Sequence, residues 1–341
     1  MTIKTDVVII GAGPCGLFQV FELGLLDIHA HVVDSLKHVG GQCAELYPDK
    51  PIYDIPAIPV CGAQELVDRL MEQIRPFKPD FHLGQTVTTL EQQDDGRFLL
   101  ETSAGTRFDT ATVILAAGLG AFQARRLRVR GAEQWENEKI HYRISNPSEL
   151  TGKELLILGG GDSALDWTLE LHGKAKRITL VHRRAEYRAQ PASVNKMKSL
   201  ADGDSLKEFH GNVRAVLEDD EQFSGLEIVD PEGEVHSISA DGVFVFWGLA
   251  PNLGPIANWG LDIEKRQIQV DTEKFQTSTP GIFAVGDINT YPGKKKLILS
   301  GFHEAALAAF GVQQHLHPEQ KVRLQYTTTS PIMHQRLGLE D

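Results

Sequence analysis

The sequence predicts an α/β fold with parallel sheets, because one strand-and-turn pattern occurs twice in the 341 residues. The apolar run Asp6–Ile10 leads into GAGPCG at 11–16, and Leu155–Leu158 leads into GGGDSA at 159–164. Neither run alternates apolar with polar residues, which is typical of strands covered on both faces. Helix-compatible segments follow both turns, at Leu17–Leu25 and Ala164–Leu171. We therefore expect two similar α/β units.

The two glycine-rich turns predict nucleotide binding. Glycine allows a tight turn and a close backbone approach, so that the amides at a helix N-terminus can meet a pyrophosphate. Two such turns, each after a strand and before a helix, are far more specific than one. We therefore expect two Rossmann-like, three-layer dinucleotide-binding domains. The residues expected to bind phosphate are Gly11, Gly13, Cys15, Gly16, Gly159, Gly161, Asp162 and Ser163.

The residue that ends the second strand of each unit indicates which nucleotide binds. Asp34 stands 23 residues after Gly11, where a carboxylate can accept both ribose hydroxyls of NAD or FAD. At the same distance after Gly159 the chain has His182, Arg183 and Arg184, with Arg188 beyond. Guanidinium groups bind phosphate oxygens through paired hydrogen bonds, whereas a carboxylate repels them. The second unit is therefore expected to take NADP(H).

Three further segments indicate that the first unit binds a flavin. Gly40-Gly41-Gln42 follows Asp34 closely, and Val113–Gly118 is a buried strand with a small-residue stop. A third strand ends in Gly286-Asp287, whose carboxylate could bind ribitol hydroxyls. We expect a helix capped by Ser300 to follow, with its N-terminus near the flavin pyrimidine. FAD is therefore the cofactor expected in the first unit.

Composition excludes several other classes of protein. Lys and Arg total 34 against 46 Asp and Glu, so the net charge of −12 disfavours a nucleic-acid partner. No apolar stretch approaches the roughly 20 residues of a membrane-spanning helix, and the strand-like opening leaves no room for a signal peptide. The three cysteines form no CxxC or disulfide framework, and no HExxH is present. We expect a cytoplasmic protein with no metal site.

The chain resembles the thioredoxin reductase superfamily of flavoproteins. GAGPCG, GGGDSA, the HRR at 182–184 and the GIFAVGDI at 281–288 carry this resemblance in the expected order. It implies an FAD domain made from both ends of the chain, with the NADP domain inserted. The boundaries expected are 1–117 with 285–328 for the FAD domain, 118–284 for the NADP domain and 329–341 for a C-terminal tail.

One feature of that superfamily is missing, because thioredoxin reductases carry a CxxC in the NADP domain and this chain has no cysteine between Gly118 and Gly159. Electrons are therefore expected to leave the flavin directly. The chain is more similar to the thioredoxin-reductase-like ferredoxin–NADP⁺ reductases, through GQCAELYP at 41–48, GGGDSALDW at 159–167 and LGPIANWGLDI at 253–263. This resemblance implies hydride transfer between NADP(H) and FAD, and single-electron transfer between FAD and ferredoxin or flavodoxin.

The same resemblance implies roles for individual residues in a homodimer. Tyr47 stacks on one face of the isoalloxazine ring, and the partner subunit's tail covers the other. In that tail Tyr326 is the aromatic residue, Thr327 approaches flavin N5 and Thr328 contacts FAD. A capped flavin cannot receive hydride, so either the tail or the NADP domain should move. The other residues carried over to the FAD site are Cys15, Asp34, Gln42, Val87 (on the adenine side), Phe122 and Asp287.

Two basic clusters are candidate docking sites for an acidic partner such as ferredoxin. Complementary charge raises the association rate more than the affinity. Most charge runs are solvated faces, and that interpretation stays open for both clusters. The candidate docking residues are Arg125, Arg126, Arg128, Arg130, Lys294, Lys295 and Lys296.

The residues alone leave other functions open. Nothing in the sequence names the electron acceptor, so an NADPH-dependent reductase of another one-electron carrier or of a quinone is the nearest alternative. A flavin- and NADP-binding redox sensor that signals without turnover belongs to another class of function. Cys15 could have a lowered thiol pKa at its helix N-terminus, but a small residue tolerated beside the pyrophosphate is the simpler interpretation.

Overall fold

The computed structural model describes residues 2–48, 50–120, 123–144, 146–201, 203–250, 252–320 and 326–339. The α-helices of these ranges are α1 Pro14–Leu25, α2 Gln42–Leu46, α3 Ala63–Ile74, α4 Asp162–Leu171, α5 Pro191–Leu200, α6 Ile298–Leu316 and α7 Pro331–Leu337. The strands are β1 Thr2–Ile10, β2 Ala30–Asp34, β3 Pro51–Ile52, β4 Cys61–Gly62, β5 Asp80–Leu83, β6 Val87–Gln92, β7 Phe98–Thr102, β8 Arg107–Leu115, β9 Gln123–Ala124, β10 Ile140–His141, β11 Glu154–Leu158, β12 Arg177–His182, β13 Leu206–His210, β14 Asn212–Asp219, β15 Gln222–Val229, β16 Val235–Ser239, β17 Gly242–Val245, β18 Leu249–Ala250, β19 Ile263–Glu264, β20 Gln267–Gln269, β21 Ile282–Ala284 and β22 Asn289–Thr290.

The chain forms two compact units. The first contains Met1–Ala121 with Pro251–Asp341, and the second contains Phe122–Ala250. The first unit is therefore discontinuous, and the second is inserted into it.

The first unit is built on a seven-stranded sheet. Strands β5, β2, β1, β8 and β21 are parallel neighbours in that order, and β7 and β6 extend the sheet antiparallel from β8. The last four residues of β1 are buried, as the unbroken apolar run predicted. Helix α1 packs against both α3 and α6, and the apolar faces of the three helices complete a core that includes Leu17, Leu66 and Ala309.

The second unit repeats this arrangement. Its parallel sheet has the order β10-β17-β11-β12-β13, and a separate antiparallel sheet has the order β14-β15-β16. In both units the first strand, β1 or β11, pairs with the second strand on one side and with a later strand on the other. The outer neighbour of that later strand differs. It is β21 from downstream in the first unit, and β10 from upstream in the second.

One expected domain boundary was wrong. We placed residues 118–284 in the inserted domain, whereas 251–284 belong to the first unit. The reason is packing, because Leu253, Ile256 and Leu261 share a buried cluster with Ile10 and Leu115 of the central strands. The short hairpin β19–β20 is also tied to the first unit, where β20 pairs with β22.

Helix α6 differs from the expectation at its start. It begins at Ile298 after Leu297, which caps it without a side-chain hydrogen bond, so the predicted Ser300 cap was wrong. Ser300 lies inside the first turn instead. Within the described parts of the chain, no helix combines the length and apolar character needed to cross a membrane.

The segment after α6 ends in a short helix that packs on its own unit. Helix α7 begins after Ser330, whose hydroxyl accepts a hydrogen bond from the Met333 amide. Met333 is buried, and Arg336 donates to the carbonyl of Leu25 at the end of α1. Helix α7 therefore contacts the C-terminal end of α1. Helix α1 has 12 residues and is about 18 Å long, so this contact is about that far from the glycine-rich turn at the N-terminal end of α1.

Candidate functional site

The first glycine-rich turn is fixed to the end of β2. The Gly11 amide donates to the Val33 carbonyl at 2.8 Å, and the Ala12 amide donates to Asp34 Oδ2 at 2.6 Å. The Leu36 amide donates to Asp34 Oδ1 at 2.7 Å. Burial raises the pKa of Asp34 above its usual range, and the two amide donors oppose that shift. The carboxylate is thereby oriented beside the turn, with lone pairs left to accept ribose hydroxyls.

Two glycines in this region have no space for a side chain. A Cβ on Gly11, whose φ is +113°, would lie 2.4 Å from the Ala116 carbonyl oxygen. A Cβ on Gly41, whose φ is +54°, would lie 3.0 Å from Gly13 Cα. The Gly40 amide also donates to the Ala12 carbonyl at 2.8 Å. The Gly40-Gly41-Gln42 loop therefore packs against the first glycine-rich turn, and the two segments form parts of one site.

Helix α2 carries this loop to Tyr47. Gln42 is the first residue of the helix and Tyr47 directly follows it. The tyrosine is partly buried against the core, and Cys43 Sγ lies 3.8 Å from its hydroxyl. Burial, with Cys43 adding to it, raises the pKa of Tyr47, so the phenol is neutral at pH 7. Its stacking on a flavin stays a prediction.

The Gly286-Asp287 turn reaches the same place from the other end of the chain. A Cβ on Gly301, in the second turn of α6, would lie 2.2 Å from Cys15 Sγ, and a Cβ on Gly286 would lie 3.1 Å from it. Cys15 thus fills a space that two glycines leave for it. Burial and the neighbouring charge of Asp287 raise the pKa of Cys15 to about 12, so the thiol is not a nucleophile at neutral pH.

A buried ionic network lies behind this turn. Glu304 of α6 is fully buried, and its carboxylate accepts hydrogen bonds from four donors. These donors are the Gly286 amide (2.7 Å), Asn289 Nδ2 (2.9 Å), the Tyr291 hydroxyl (2.9 Å) and Lys294 Nζ (2.5 Å). Lys294 Nζ also donates to the Gly286 carbonyl at 2.8 Å. The network therefore fixes both polar backbone groups of Gly286, next to Asp287. The sequence analysis missed it, because no local pattern links Glu304 to residues 10 to 18 positions earlier.

This network corrects one of the proposed docking residues. Lys294 was expected on the surface with Lys295 and Lys296, but its side chain is only 6% exposed and pairs with Glu304. Lys295 and Lys296 are exposed. In the other cluster, Arg125, Arg126, Arg128 and Arg130 are all exposed, and Arg126 pairs with Glu136.

Other predicted site residues of the first unit lie in varied surroundings. Val87 is buried at the start of β6. Gly13 directly precedes α1, and Gly16 lies in the first turn of that helix. Tyr326 is 66% exposed, and Thr327 and Thr328 are exposed beside it. The roles of these tail residues need a second subunit and stay predictions. Phe122 lies outside the described residues.

The second glycine-rich turn joins β11 to α4. Gly159, Gly160 and Gly161 lead into α4, which begins at Asp162. The Gly159 amide donates to the Val181 carbonyl at 3.0 Å, which repeats the bond of the Gly11 amide to Val33. Ser163, in the first turn of α4, is exposed.

The arginine loop folds back onto this turn. The Arg188 amide donates to the Gly160 carbonyl at 2.8 Å, and the Gln190 amide donates to Asp162 Oδ1 at 2.9 Å. The His182 ring stacks on Tyr187 with centroids 5.0 Å apart, and burial lowers its pKa. The imidazole is therefore uncharged at pH 7. The positive charge at the end of β12 comes from arginine side chains, and the exposed ones are Arg183, Arg184 and Arg188.

The match to a known family decides the identity. A family model described as pyridine nucleotide-disulphide oxidoreductase matches residues 5–309. The chain belongs to that family. It is an oxidoreductase with an FAD site and an NADP(H) site, and both cofactors fit the structure. The glycines of the two turns, the oriented Asp34 carboxylate and the exposed arginines after β12 are features that such nucleotides require.

Relatives with curated names agree with the resemblance seen in the sequence. The chain is 59% identical to ferredoxin–NADP reductase 2 of Cupriavidus pinatubonensis over 338 residues, covering 99% of this chain and 92% of that protein. It is 58% identical to ferredoxin–NADP reductase of Polaromonas naphthalenivorans over 342 residues, covering 99% and 93%. The predicted family is thereby confirmed.

Solved structures confirm the fold class. Lactococcus lactis thioredoxin reductase superposes with a TM-score of 0.75 at 24% identity, covering 92% of this chain and all of that one. The bacillithiol disulfide reductase of Staphylococcus aureus superposes with a TM-score of 0.76 at 18% identity, covering 94% and 100%. At these identities the likeness concerns the fold.

Substituting Gly11→Ala should abolish flavin retention, because the new Cβ would collide with the Ala116 carbonyl at the turn. The measurement is the ratio of flavin to protein absorbance after purification. Gly105→Ala is the matched control, since Gly105 also has a positive φ (+80°) but nothing lies within 4 Å of its Cβ position. Equal flavin content in the two variants would contradict this account of the turn.

Substituting Lys294→Met should destabilise the first unit by about 3–5 kcal/mol, because it leaves Glu304 charged and buried without its partner. Urea unfolding followed by circular dichroism measures the loss. Lys295→Met is the control, and a change within about 0.5 kcal/mol is expected for this exposed lysine. Similar effects of the two substitutions would show that the buried pair has no special role.

Proposed function

We propose that this chain is an NADPH-dependent ferredoxin or flavodoxin reductase in which FAD passes electrons directly to the protein acceptor. The observation that carries the proposal is a combination of three features. The glycine-rich turn at 11–16 lies beside the carboxylate of Asp34, the turn at 159–164 lies beside the arginine loop, and burial keeps the thiols of Cys15 and Cys43 protonated. The names and identities of the curated relatives support ferredoxin as the acceptor.

The first unit supplies the flavin site. Asp34 accepts the ribose hydroxyls, and the amides at the start of α1 face the pyrophosphate beside Gly11 and Gly13. Asp287 is held by the Glu304 network, where it can accept hydroxyl groups of the ribitol chain. FAD held by these residues would supply two-electron chemistry with NADPH and one-electron chemistry with the acceptor.

The second unit supplies the nicotinamide nucleotide. The turn before α4 binds the pyrophosphate, and the arginines after β12 bind the 2′-phosphate. Since the loop is anchored to Gly160 and Asp162 through backbone amides, the guanidinium groups stay free to turn toward the phosphate. The selection of NADPH over NADH follows from these charges.

The thiols do not carry electrons in this proposal. The three cysteines are free, and burial raises the pKa of both Cys15 and Cys43. A protonated thiol is neither a nucleophile nor a ready partner for disulfide exchange. The electrons therefore leave from the flavin itself.

A homodimer completes the flavin site in this proposal. Tyr47 covers one face of the ring, and the tail of the partner subunit, with Tyr326, Thr327 and Thr328, covers the other. The exposure of all three tail residues in the single chain supports this arrangement, because it leaves them accessible to a second subunit. We propose the cytoplasm as the compartment, where ferredoxins and NADPH meet.

The proposal is tested by anaerobic stopped-flow mixing of the FAD-loaded protein with NADPH or NADH, followed by oxidised ferredoxin. We expect flavin bleaching to be faster with NADPH, and ferredoxin to be reduced over many turnovers. Alkylation with iodoacetamide beforehand should leave both steps unchanged. A preference for NADH, or a loss of turnover after alkylation, would overturn the proposal.

Substituting Arg183→Ala should weaken NADPH binding by roughly 1–3 kcal/mol, about 5- to 150-fold in Kd, since one charge-assisted contact to the phosphate is lost. NADH has no such phosphate, so its affinity should stay the same. Fluorescence titration with both nucleotides measures the effect. Lys198→Ala is the control. It removes an exposed cation near the C-terminal end of α5 and should change neither the NADPH affinity nor the NADH affinity.

Substituting Arg128→Glu should raise the ferredoxin KM several-fold at low salt, because docking of an acidic partner depends on this charge. Arg128 is a cleaner choice than Arg126, which pairs with Glu136. The difference from the unsubstituted protein should shrink as salt rises. Lys207→Glu, an exposed position on β13, is the control. An unchanged KM for Arg128→Glu would remove this cluster from the docking surface.

A further inference from the structure

A group of histidines lies at the edge of the first sheet, on strand β5 and at the beginning of its neighbour β2. His29 directly precedes β2 and His31 is the second residue of that strand, while Asp80 and His82 stand two positions apart in β5. Strands β2 and β5 are parallel neighbours, with His31 opposite Asp80. Side chains two residues apart in a strand point to the same face, so the four meet there. The histidine cluster is His29, His31, Asp80 and His82.

The donor atoms of this cluster are close together. His31 Nδ1 is 3.1 Å from His82 Nε2 and 3.7 Å from Asp80 Oδ2. His29 Nε2 is also 3.7 Å from Asp80 Oδ2. The donor atoms of His29, His31 and Asp80 all lie within 4.8 Å of one another. A tetrahedral Zn²⁺ with bonds of about 2.0–2.1 Å holds its ligand atoms roughly 3.3 Å apart. The observed separations bracket that value.

We propose that the histidine cluster binds one transition-metal ion, for which Zn²⁺ is the best match. Two imidazoles and one carboxylate, with the His82 ring beside His31, form a donor set that zinc accepts, whereas Mg²⁺ and Ca²⁺ prefer oxygen ligands. This inference is independent of the proposed electron-transfer function, and it departs from the sequence-based expectation that the chain has no metal site.

The side chains of the cluster suit a cation. A neutral imidazole offers one ring-nitrogen lone pair to a metal. Asp80 is largely exposed and supplies the negative charge. His29 Nε2 lies 3.1 Å from the Lys78 carbonyl oxygen. Metal binding would replace this hydrogen bond by a bond from His29 to the ion. Phe108 packs against His31 and His82, which restricts both rings.

The groups around the cluster leave room for an ion. His29 and His31 line a cleft of about 300 Å³ together with Lys4, Thr5, Asp6 and Arg97. The guanidinium of Arg97 does not serve as an anion-binding group, because it pairs with Asp109 and donates to the Thr5 carbonyl at 2.8 Å. Lys4 and Asp6 oppose each other in charge. With Arg97 paired, the lining of the cleft holds one further lysine, Lys4, and one carboxylate, Asp6.

The position of the cluster indicates a stabilising role. Nucleotides bind at the carboxyl ends of parallel strands, where Asp34 lies. His29 precedes Asp34 by five residues, about 16 Å along the strand, and the cluster extends from there along β5 to His82, which lies opposite Val33. A metal there would join β2 to β5, the outermost parallel strand of the sheet. Such an ion stabilises the folded state by binding it in preference to the unfolded chain.

The test is isothermal titration of ZnCl₂ into the FAD-loaded, full-length protein, prepared without a histidine tag and treated with a chelator. We expect one equivalent of Zn²⁺ to bind with micromolar or tighter affinity, no binding of Mg²⁺, and a rise of Tm when zinc is added. His31→Gln should weaken zinc binding at least tenfold and remove the rise of Tm. Its flavin content and its rate of reduction by NADPH should match the unsubstituted protein.

Two further variants keep the test decisive. His29→Gln changes a half-exposed ring and should weaken zinc binding even if His31→Gln folds poorly. His236→Gln alters the other group of possible ligands in the described chain, Asp230, Glu234 and His236, and should leave the affinity unchanged. Absence of zinc binding, or its loss in His236→Gln alone, would overturn the proposal.

Discussion

The Gly286-Asp287 turn of the first unit depends on the buried carboxylate of Glu304, which ties helix α6 to the segment that precedes it. Its four hydrogen bonds tie α6 to the end of β21 and to the following segment, while Gly301 of the same helix packs on Cys15 of α1. A carboxylate without solvent is stable only when its charge and lone pairs are matched. Lys294 and three neutral donors satisfy that condition. The position of Asp287 beside the first glycine-rich turn follows from it.

The two units show how one strand order can be completed in two ways. In both, the second strand and a later strand flank the first, so each glycine-rich turn opens at the same edge of its sheet. The outer position is filled by β21 from the end of the chain in the first unit, and by β10 from before the repeat in the second. The nucleotide sites are therefore set by the inner three strands, and the outer strand is free to come from wherever the insertion allows.

The features that the sequence predicted well are those in which a few adjacent residues determine the geometry. Gly11 and Asp34 belong to a short strand–turn–helix–strand unit, and their roles follow from spacing. Lys294 was misjudged because three consecutive lysines are typical of a solvated surface, and only the packing of α6 shows that the first of them meets Glu304. The boundary at 284 failed for a similar reason, since the hairpin β19–β20 pairs with a strand some twenty residues later.

The histidine cluster shows the same limit from another side, because His31 and Asp80 are 49 residues apart and become neighbours only through the parallel pairing of β2 with β5.

The thiols explain how a member of a disulphide oxidoreductase family can work without a disulfide. Thiol chemistry needs a thiolate, and a thiolate needs a positive or solvated environment. Cys15 has the opposite, since it is packed against glycines and next to the carboxylates of Asp287 and Glu304. Cys43 is buried beside Tyr47. The apolar and acidic surroundings therefore keep these two thiols protonated, which supports the proposed direct transfer of electrons from the flavin to the acceptor.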